Sequence, residues 1–178
     1  EAASGSMASS VVMVDLDSGK PTIVRKTVEA ELDAAALSMP QVVAFPTAGS
    51  STAYGFYYPP QNADFEAPAS ELPPLLVRSH GGPTAQEEAK LDLEIQFWTS
   101  RGFGFLDVNY RGSTGYGSAY RHALDGQWGV ADMEDCIAGA HYLAQQGKID
   151  GKRTAIMGGS AGGYTTLLSL IHISEPTR

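Results

Sequence analysis

Gly158-Gly159-Ser160-Ala161-Gly162 stands between two apolar runs, Thr154-Ala155-Ile156-Met157 and Gly163 to Leu170. The first run reads as a short strand and the second as a helix, so the pentapeptide is a strand-to-helix turn with the G-x-S-x-G pattern. A serine that projects its Oγ from so sharp a turn cannot have flanking Cβ atoms that collide across it. Glycines at 158 and 162, with the small Ala161, meet that need. The helix beyond Ser160 points free N–H groups and its positive dipole end at the place where negative charge develops during acyl transfer. Ser160 is therefore expected as a nucleophile, and the Ala161 N–H as one oxyanion donor. Glycines before a helix can also cradle phosphate. That reading needs a Lys-Ser/Thr ending or G-x-G-x-x-G spacing, and this stretch has neither.

Upstream, Leu75-Leu76-Val77 is a short buried-strand run that ends at Ser79-His80-Gly81-Gly82-Pro83. Leu91, Ile95 and Trp98 recur at helical spacing, and Gly102 sits where a C-terminal cap belongs. Phe103 to Val108 reads as a strand closed by Asn109-Tyr110-Arg111-Gly112. Met133, Ile137, Ala140 and Ala144 mark one face of a second helix, capped by Gly147. Strand and helix thus alternate three times, which predicts an α/β fold with a parallel sheet and right-handed crossovers. Parallel neighbours bring their C-terminal ends to one edge, where ligands bind. The glycine loop at 81–82 can then offer a backbone N–H to the same oxyanion, with Gly82 as the second donor. His80 fits a loop-supporting residue held by hydrogen bonds better than a base.

The residues before Pro73 follow a different grammar. Residues 8–26 read as a β-hairpin turned at Asp17-Ser18-Gly19, and 27–39 are acidic and Ala-rich. A second strand pair, Val42 to Phe45 and Ala53 to Tyr58, flanks Thr47-Ala48-Gly49-Ser50-Ser51, and a polar loop follows to Pro74.

Composition narrows the partners. Over 178 residues, 43 % hydrophobic and 18 % charged, the chain has an ordinary globular make-up with a formal charge of −8. That charge repels phosphate backbones and anionic bilayers, so neither nucleic acid nor membrane is expected as a partner. The lone Cys136 reads as a core residue, and the lack of a possible internal disulfide suits a reducing, cytoplasmic compartment. No apolar run reaches the ~18 residues a membrane span needs, and the N-terminus lacks a secretory pattern. No His/Cys/Asp cluster has metal-ligand spacing, and no cofactor motif is present. His122 and His141 read as a loop residue and a helix-surface residue, and Asp107, inside a strand, as structural.

His80-Gly-Gly-Pro83, Asn109-Tyr-Arg-Gly-Ser-Thr-Gly-Tyr-Gly117 and Gly158-Gly-Ser-Ala-Gly-Gly-Tyr164, in this order, resemble the prolyl oligopeptidase family. The likeness is greatest to its dipeptidyl-peptidase and acylaminoacyl-peptidase-like branch. It implies a β-propeller followed by an α/β-hydrolase domain. Residues 1–38 would then be the remnant of the last propeller blade with its linker, and 39–170 the first part of the catalytic domain. The resemblance implies Ser160 as nucleophile, Ala161 and Gly82 as backbone oxyanion donors, and Tyr110 and Arg111 as structural support near the site. Gly158 and Gly162 flank the nucleophile as the family motif requires. It also implies a peptide substrate, cleaved through an acyl-enzyme. The family's triad Asp and His lie beyond the elbow helix. Residues 171–178 resemble translated sequencing-adapter read-through, so His172 is not taken as the base. A fragment cut at both ends and inactive by itself is therefore expected. An esterase of the same fold, or a non-catalytic binding module, are the alternatives.

Overall fold

The computed structural model describes residues 1–29 and 32–173, with the side chains of 171–173 excepted. The expectation for the terminal tail falls mainly on residues 174–178, outside the described residues. In chain order the strands and helices are β1 (Ala2–Ser4), β2 (Met7–Val14), β3 (Pro21–Lys26), β4 (Gln41–Thr47), β5 (Ser51–Tyr58), β6 (Leu75–Ser79), α1 (Leu93–Thr99), β7 (Gly104–Asn109), α2 (Ser118–His122), α3 (Ala131–Gln145), β8 (Thr154–Gly158) and α4 (Ala161–Ile173).

Two sheets form. β1-β2-β3 is a small antiparallel sheet, and β4-β5-β7-β6-β8 is a mixed five-stranded one. In the large sheet, β6 pairs in parallel with β7 on one side and β8 on the other. The β4–β5 hairpin joins it antiparallel, through Tyr54↔Asn109 to Tyr58↔Phe105. The expected parallel sheet is therefore only three strands of a mixed sheet, since hydrophobic alternation marks a strand but not its partner.

Alternation along the strands divides the core in two. Leu75, Val77, Leu106, Val108, Tyr57 and Ile156 pack with Cys136, Ala140 and Leu143 of α3. The intervening Leu76, Phe105, Tyr58 and Met157 pack with Ile95 and Trp98 of α1. Helices thus cover both faces, and period-2 strands with apolar residues at both parities are what such burial demands. The split follows from topology. The chain steps from β6 to β7 in one direction and returns past β6 to β8 in the other. With crossovers of constant hand, α1 and α3 must lie on opposite faces. α4 packs on α3 and on β6 and β8, on the α3 side. At the C-terminal edge, β6 therefore sends its chain to one face while β8 sends its own to the other, the switch point at which ligands bind in open α/β sheets.

Several local expectations shift. β1, three small residues, carries no sequence pattern of its own. α1 begins after Asp92, whose carboxylate accepts the Glu94 N–H as an N-cap, so Leu91 lies outside it. The Leu91 N–H instead bonds the Ser4 carbonyl at 2.7 Å. α3 buries Met133 and Ala140 of the expected face together with Ala131, Asp132, Asp135, Cys136, Gly139 and Leu143, while Ile137 and Ala144 are half-buried, so two of the four expected residues point inward and the buried stripe is rotated from the expected one. His122 lies on the short α2 rather than in a loop, and both His122 and His141 are exposed.

Asp107 is structural in geometry. It is fully buried and takes a two-pronged contact from Arg78, Nε to Oδ1 at 2.6 Å and Nη2 to Oδ2 at 2.8 Å. Burial works against the Arg78 charge, but Asp107, Glu87 and Asp92 outweigh it and hold the guanidinium protonated. Removing Asp107 leaves Asp92, Glu94 and Glu87 within reach of the guanidinium, so the cost is that of buried donors losing their acceptor, about 1–3 kcal/mol, and not that of a stranded charge. Asp107→Ala is expected to lower unfolding stability by that amount in denaturant titration. A loss below about 1 kcal/mol would reduce the pair to the worth of a surface contact.

Candidate active site

β8 ends at Gly158 and α4 begins at Ala161, so Gly159 and Ser160 alone make the turn. Ser160 sits at φ 55°, in the left-handed region that costs a residue with a Cβ. It is exposed, and no described residue hydrogen bonds its hydroxyl. The flanking glycines are forced by close approach. A methyl at 158 would lie 2.5 Å from the Gly162 carbonyl oxygen and 2.6 Å from Ser79 Oγ, and one at 162 would overlap the Ser79 carbonyl. Gly159 has open space where a methyl would go.

The parallel pairing of β6 with β8 brings the second motif to this turn. Ser79 pairs in register with Gly158, and a methyl on Gly81 would sit 3.5 Å from Ser160 Cβ and 3.3 Å from the Gly159 carbonyl. His80, Gly81 and Ser160 are therefore neighbours. Among the described residues, neither the Ala161 nor the Gly82 N–H is engaged by a backbone hydrogen bond. Gly82 adopts φ 132° and precedes a cis bond to Pro83.

His80 is buried and does not reach Ser160. Its Nδ1 lies 2.7 Å from the Gly81 carbonyl oxygen and its Nε2 2.7 Å from Ser113 Oγ. Burial lowers its pKa, against the opposing pull of Gly81 and Glu87, and so favours the neutral ring. Tyr110 stacks on that ring at 4.2 Å, and its hydroxyl contacts the His80 and Pro83 carbonyls at 2.9 and 3.1 Å. Arg111 turns the other way. It meets Asp135 and Glu134 of α3, and its N–H donates to Asp135 at 2.7 Å.

Three contributors carry no sequence signal of their own. Ser79 donates to the Gly162 carbonyl at 2.9 Å and ties β6 to the start of α4. Asp132, fully buried, accepts from Gly129 N–H and from Thr165 Oγ1, joining α3 to α4. Ser113 reaches both His80 and the Tyr110 carbonyl, the latter at 2.7 Å. Polar side chains like these resemble surface residues until their partners are known. Two surface cavities, of about 420 and 560 Å³, open elsewhere: between the β4–β5 turn and α3, and around Pro60, Phe65, Thr99 and Arg101. Among the described residues, no group of three or more His, Cys, Asp or Glu is placed to hold a metal. No described helix is long and apolar enough to cross a membrane.

A strand-to-helix serine at positive φ beside a glycine loop is the geometry of a serine hydrolase elbow. Residues 89–176 match the prolyl oligopeptidase family, six residues beyond Leu170. The chain is 37 % identical over 113 residues to dipeptidyl aminopeptidase BIII of Pseudoxanthomonas mexicana, covering 62 % of this chain and 16 % of that protein. It is 36 % identical over 93 residues to acylamino-acid-releasing enzyme 1 of Oryza sativa subsp. japonica, covering 52 % and 12 %. Among solved structures, a Mycobacterium tuberculosis puromycin-hydrolyzing peptidase superposes with a TM-score of 0.92 at 44 % identity, over 94 % of this chain and 26 % of that one. A puromycin hydrolase solved with bound PGG gives 0.91 at 45 %, over 95 % and 26 %. The chain is thus similar to the prolyl oligopeptidase family over residues 89–176, and it spans about a quarter or less of the length of the proteins it matches.

Proposed function

We propose that this chain is the part of a serine peptidase that carries the nucleophile and the oxyanion pocket. Residues 39–170 would be the first part of an α/β-hydrolase domain, and 1–38 the end of a propeller blade with its linker. One observation carries this reading. Ser160 is held at φ 55° with an unengaged hydroxyl, beside the Gly81–Gly82 loop and at the start of α4, and the backbone N–H groups of Gly82 and Ala161 make no backbone hydrogen bond.

In the proposed reaction, Ser160 Oγ bonds to the peptide carbonyl carbon, and its proton passes to a histidine base. Ala161 and Gly82 N–H groups hold the oxygen as it becomes negative, assisted by the positive end of α4. Collapse of that intermediate breaks the C–N bond, the amine leaves with the proton, and water then hydrolyses the acyl-serine. Asp107 and His80 are not available as the acidic and basic members, since Arg78 holds one and Gly81 and Ser113 the other. The triad Asp and His are proposed to lie outside this chain, which by itself would turn over little or nothing. The substrate is proposed to be a peptide, as the names of the matched peptidases suggest, with no cofactor, and the compartment to be cytoplasmic.

Amide against ester hydrolysis tests the class. The complete protein is expected to hydrolyse aminoacyl or peptidyl arylamides as well as p-nitrophenyl esters. Ester turnover with no arylamide turnover would favour an esterase. No turnover of either would favour a binding module.

A further inference from the structure

We infer that Asn109 is a positioning residue for the proposed site, because it clamps the Glu87 backbone and so fixes the connection between β6 and α1. The inference rests on the site proposed above, since that connection, residues 80–92, carries Gly82. A segment without strand or helix must still satisfy its backbone polar groups. Here they go to one place. The Pro83 carbonyl accepts from the Tyr110 hydroxyl at 3.1 Å, the Ala85 carbonyl from the Thr114 N–H at 2.9 Å, and Glu87 meets Asn109. Alternate residues 83, 85 and 87 are thus bound by the 109–117 loop, the spacing of an extended segment laid along a neighbour.

Of these ties, the one at Glu87 is two-way. Asn109 Oδ1 accepts the Glu87 N–H at 2.7 Å, and Nδ2 donates to the Glu87 carbonyl at 3.1 Å, as a paired strand would. Nδ2 has a second proton, which goes to the Tyr116 hydroxyl at 3.0 Å. Reversing the amide would set donor against donor, so the side chain has one orientation. Asn109 is itself held. It is buried at the end of β7, its backbone pairs with Tyr54, and its carbonyl accepts from the Tyr120 hydroxyl at 2.7 Å. The clamp therefore ties Glu87 to the frame of the large sheet, while Arg78 reaches the Glu87 carboxylate more loosely, at 3.5 Å. Gly82, at φ 132°, has no Cβ to resist rotation, so where its N–H points depends on how the segment beyond it is held. Asn109 acts through Glu87 and takes no part in the bond changes.

The test uses the full-length protein and three readouts. These are the rate of labelling by a fluorophosphonate, whose phosphoryl oxygen enters the oxyanion pocket, kcat and KM for a peptide arylamide, and hydrogen exchange of the 83–90 backbone by mass spectrometry. Asn109→Ala removes both Glu87 bonds and is expected to speed that exchange. Labelling and kcat should fall about 10²-fold, the cost of a displacement of ~1 Å at a reacting centre, with KM little changed. Tyr116→Phe takes away one Asn109 partner but neither Glu87 bond, and is expected to keep the wild-type rate and exchange. Asn109→Asp covers the case in which Asn109→Ala does not fold. Its carboxylate can accept the Glu87 N–H but offers nothing to the Glu87 carbonyl, so exchange should again rise and labelling fall. A wild-type labelling rate in either Asn109 variant, or an equal loss in Tyr116→Phe, would overturn the inference and leave Ser160 as the nucleophile. Label that survives Ser160→Ala would instead overturn the site itself.

Discussion

Ser160→Ala in the complete protein is expected to lower kcat for peptide arylamides by on the order of 10⁶, the cost of removing the nucleophile of a serine protease. Binding should change far less, because the hydroxyl is small, exposed and without a hydrogen-bond partner in the resting chain. For the same reason the fold should not suffer. Losing Oγ removes no structural contact, and alanine keeps the Cβ whose left-handed backbone the turn already accommodates. The variant should therefore melt at or slightly above the wild-type temperature while its turnover disappears. A loss under tenfold would mean that Ser160 is an ordinary turn residue.

Gly162→Ala should be the most damaging small substitution for the fold. The added methyl would overlap the Ser79 carbonyl and stand 2.8 Å from the His80 carbonyl, both backbone atoms that cannot swing aside. Relief requires α4 to part from the end of β6. Overpacking of this kind costs about 1–3 kcal/mol or more. It also separates Ser160 from the His80–Pro83 loop, and a displacement of about 1 Å at such a site can cost ~10² in rate. Gly159→Ala is the control, since nothing lies within 4 Å of its added methyl. Denaturant titration and labelling rate should fall together for Gly162→Ala, with stability near wild type for Gly159→Ala. Equal behaviour of the two variants would refute the close-approach account.

The contrast between those two glycines shows what the sequence conveys. The need for small residues around Ser160 was readable from the motif, because it follows from local turn geometry. So was the alternation of strands and helices from Leu75 onward, since each element carries its own period. The pairing of β5 with β7 was not readable, nor was the way both faces of β6 are used. Those depend on contacts between residues distant in sequence, such as Tyr54 and Asn109. The same reason hid Ser79, Ser113 and Asp132. Each is a polar residue whose meaning comes from a partner 33 or 83 positions away, at His80, Thr165 or Gly162. The motif marked His80 as a residue held by hydrogen bonds, yet it named neither of its two ring partners, Gly81 and Ser113. Arg78 gave no signal at all, because a lone charge in an apolar strand shows neither its carboxylate partner nor its burial.

The most direct measurement is the mass-spectrometric mapping of a fluorophosphonate adduct on the complete protein. A single phosphonyl group is predicted on the tryptic peptide that begins at Thr154, located at Ser160 by fragmentation and absent from Ser160→Ala. An adduct on another residue, or an active protein that carries none, would contradict the assignment of Ser160 as the nucleophile.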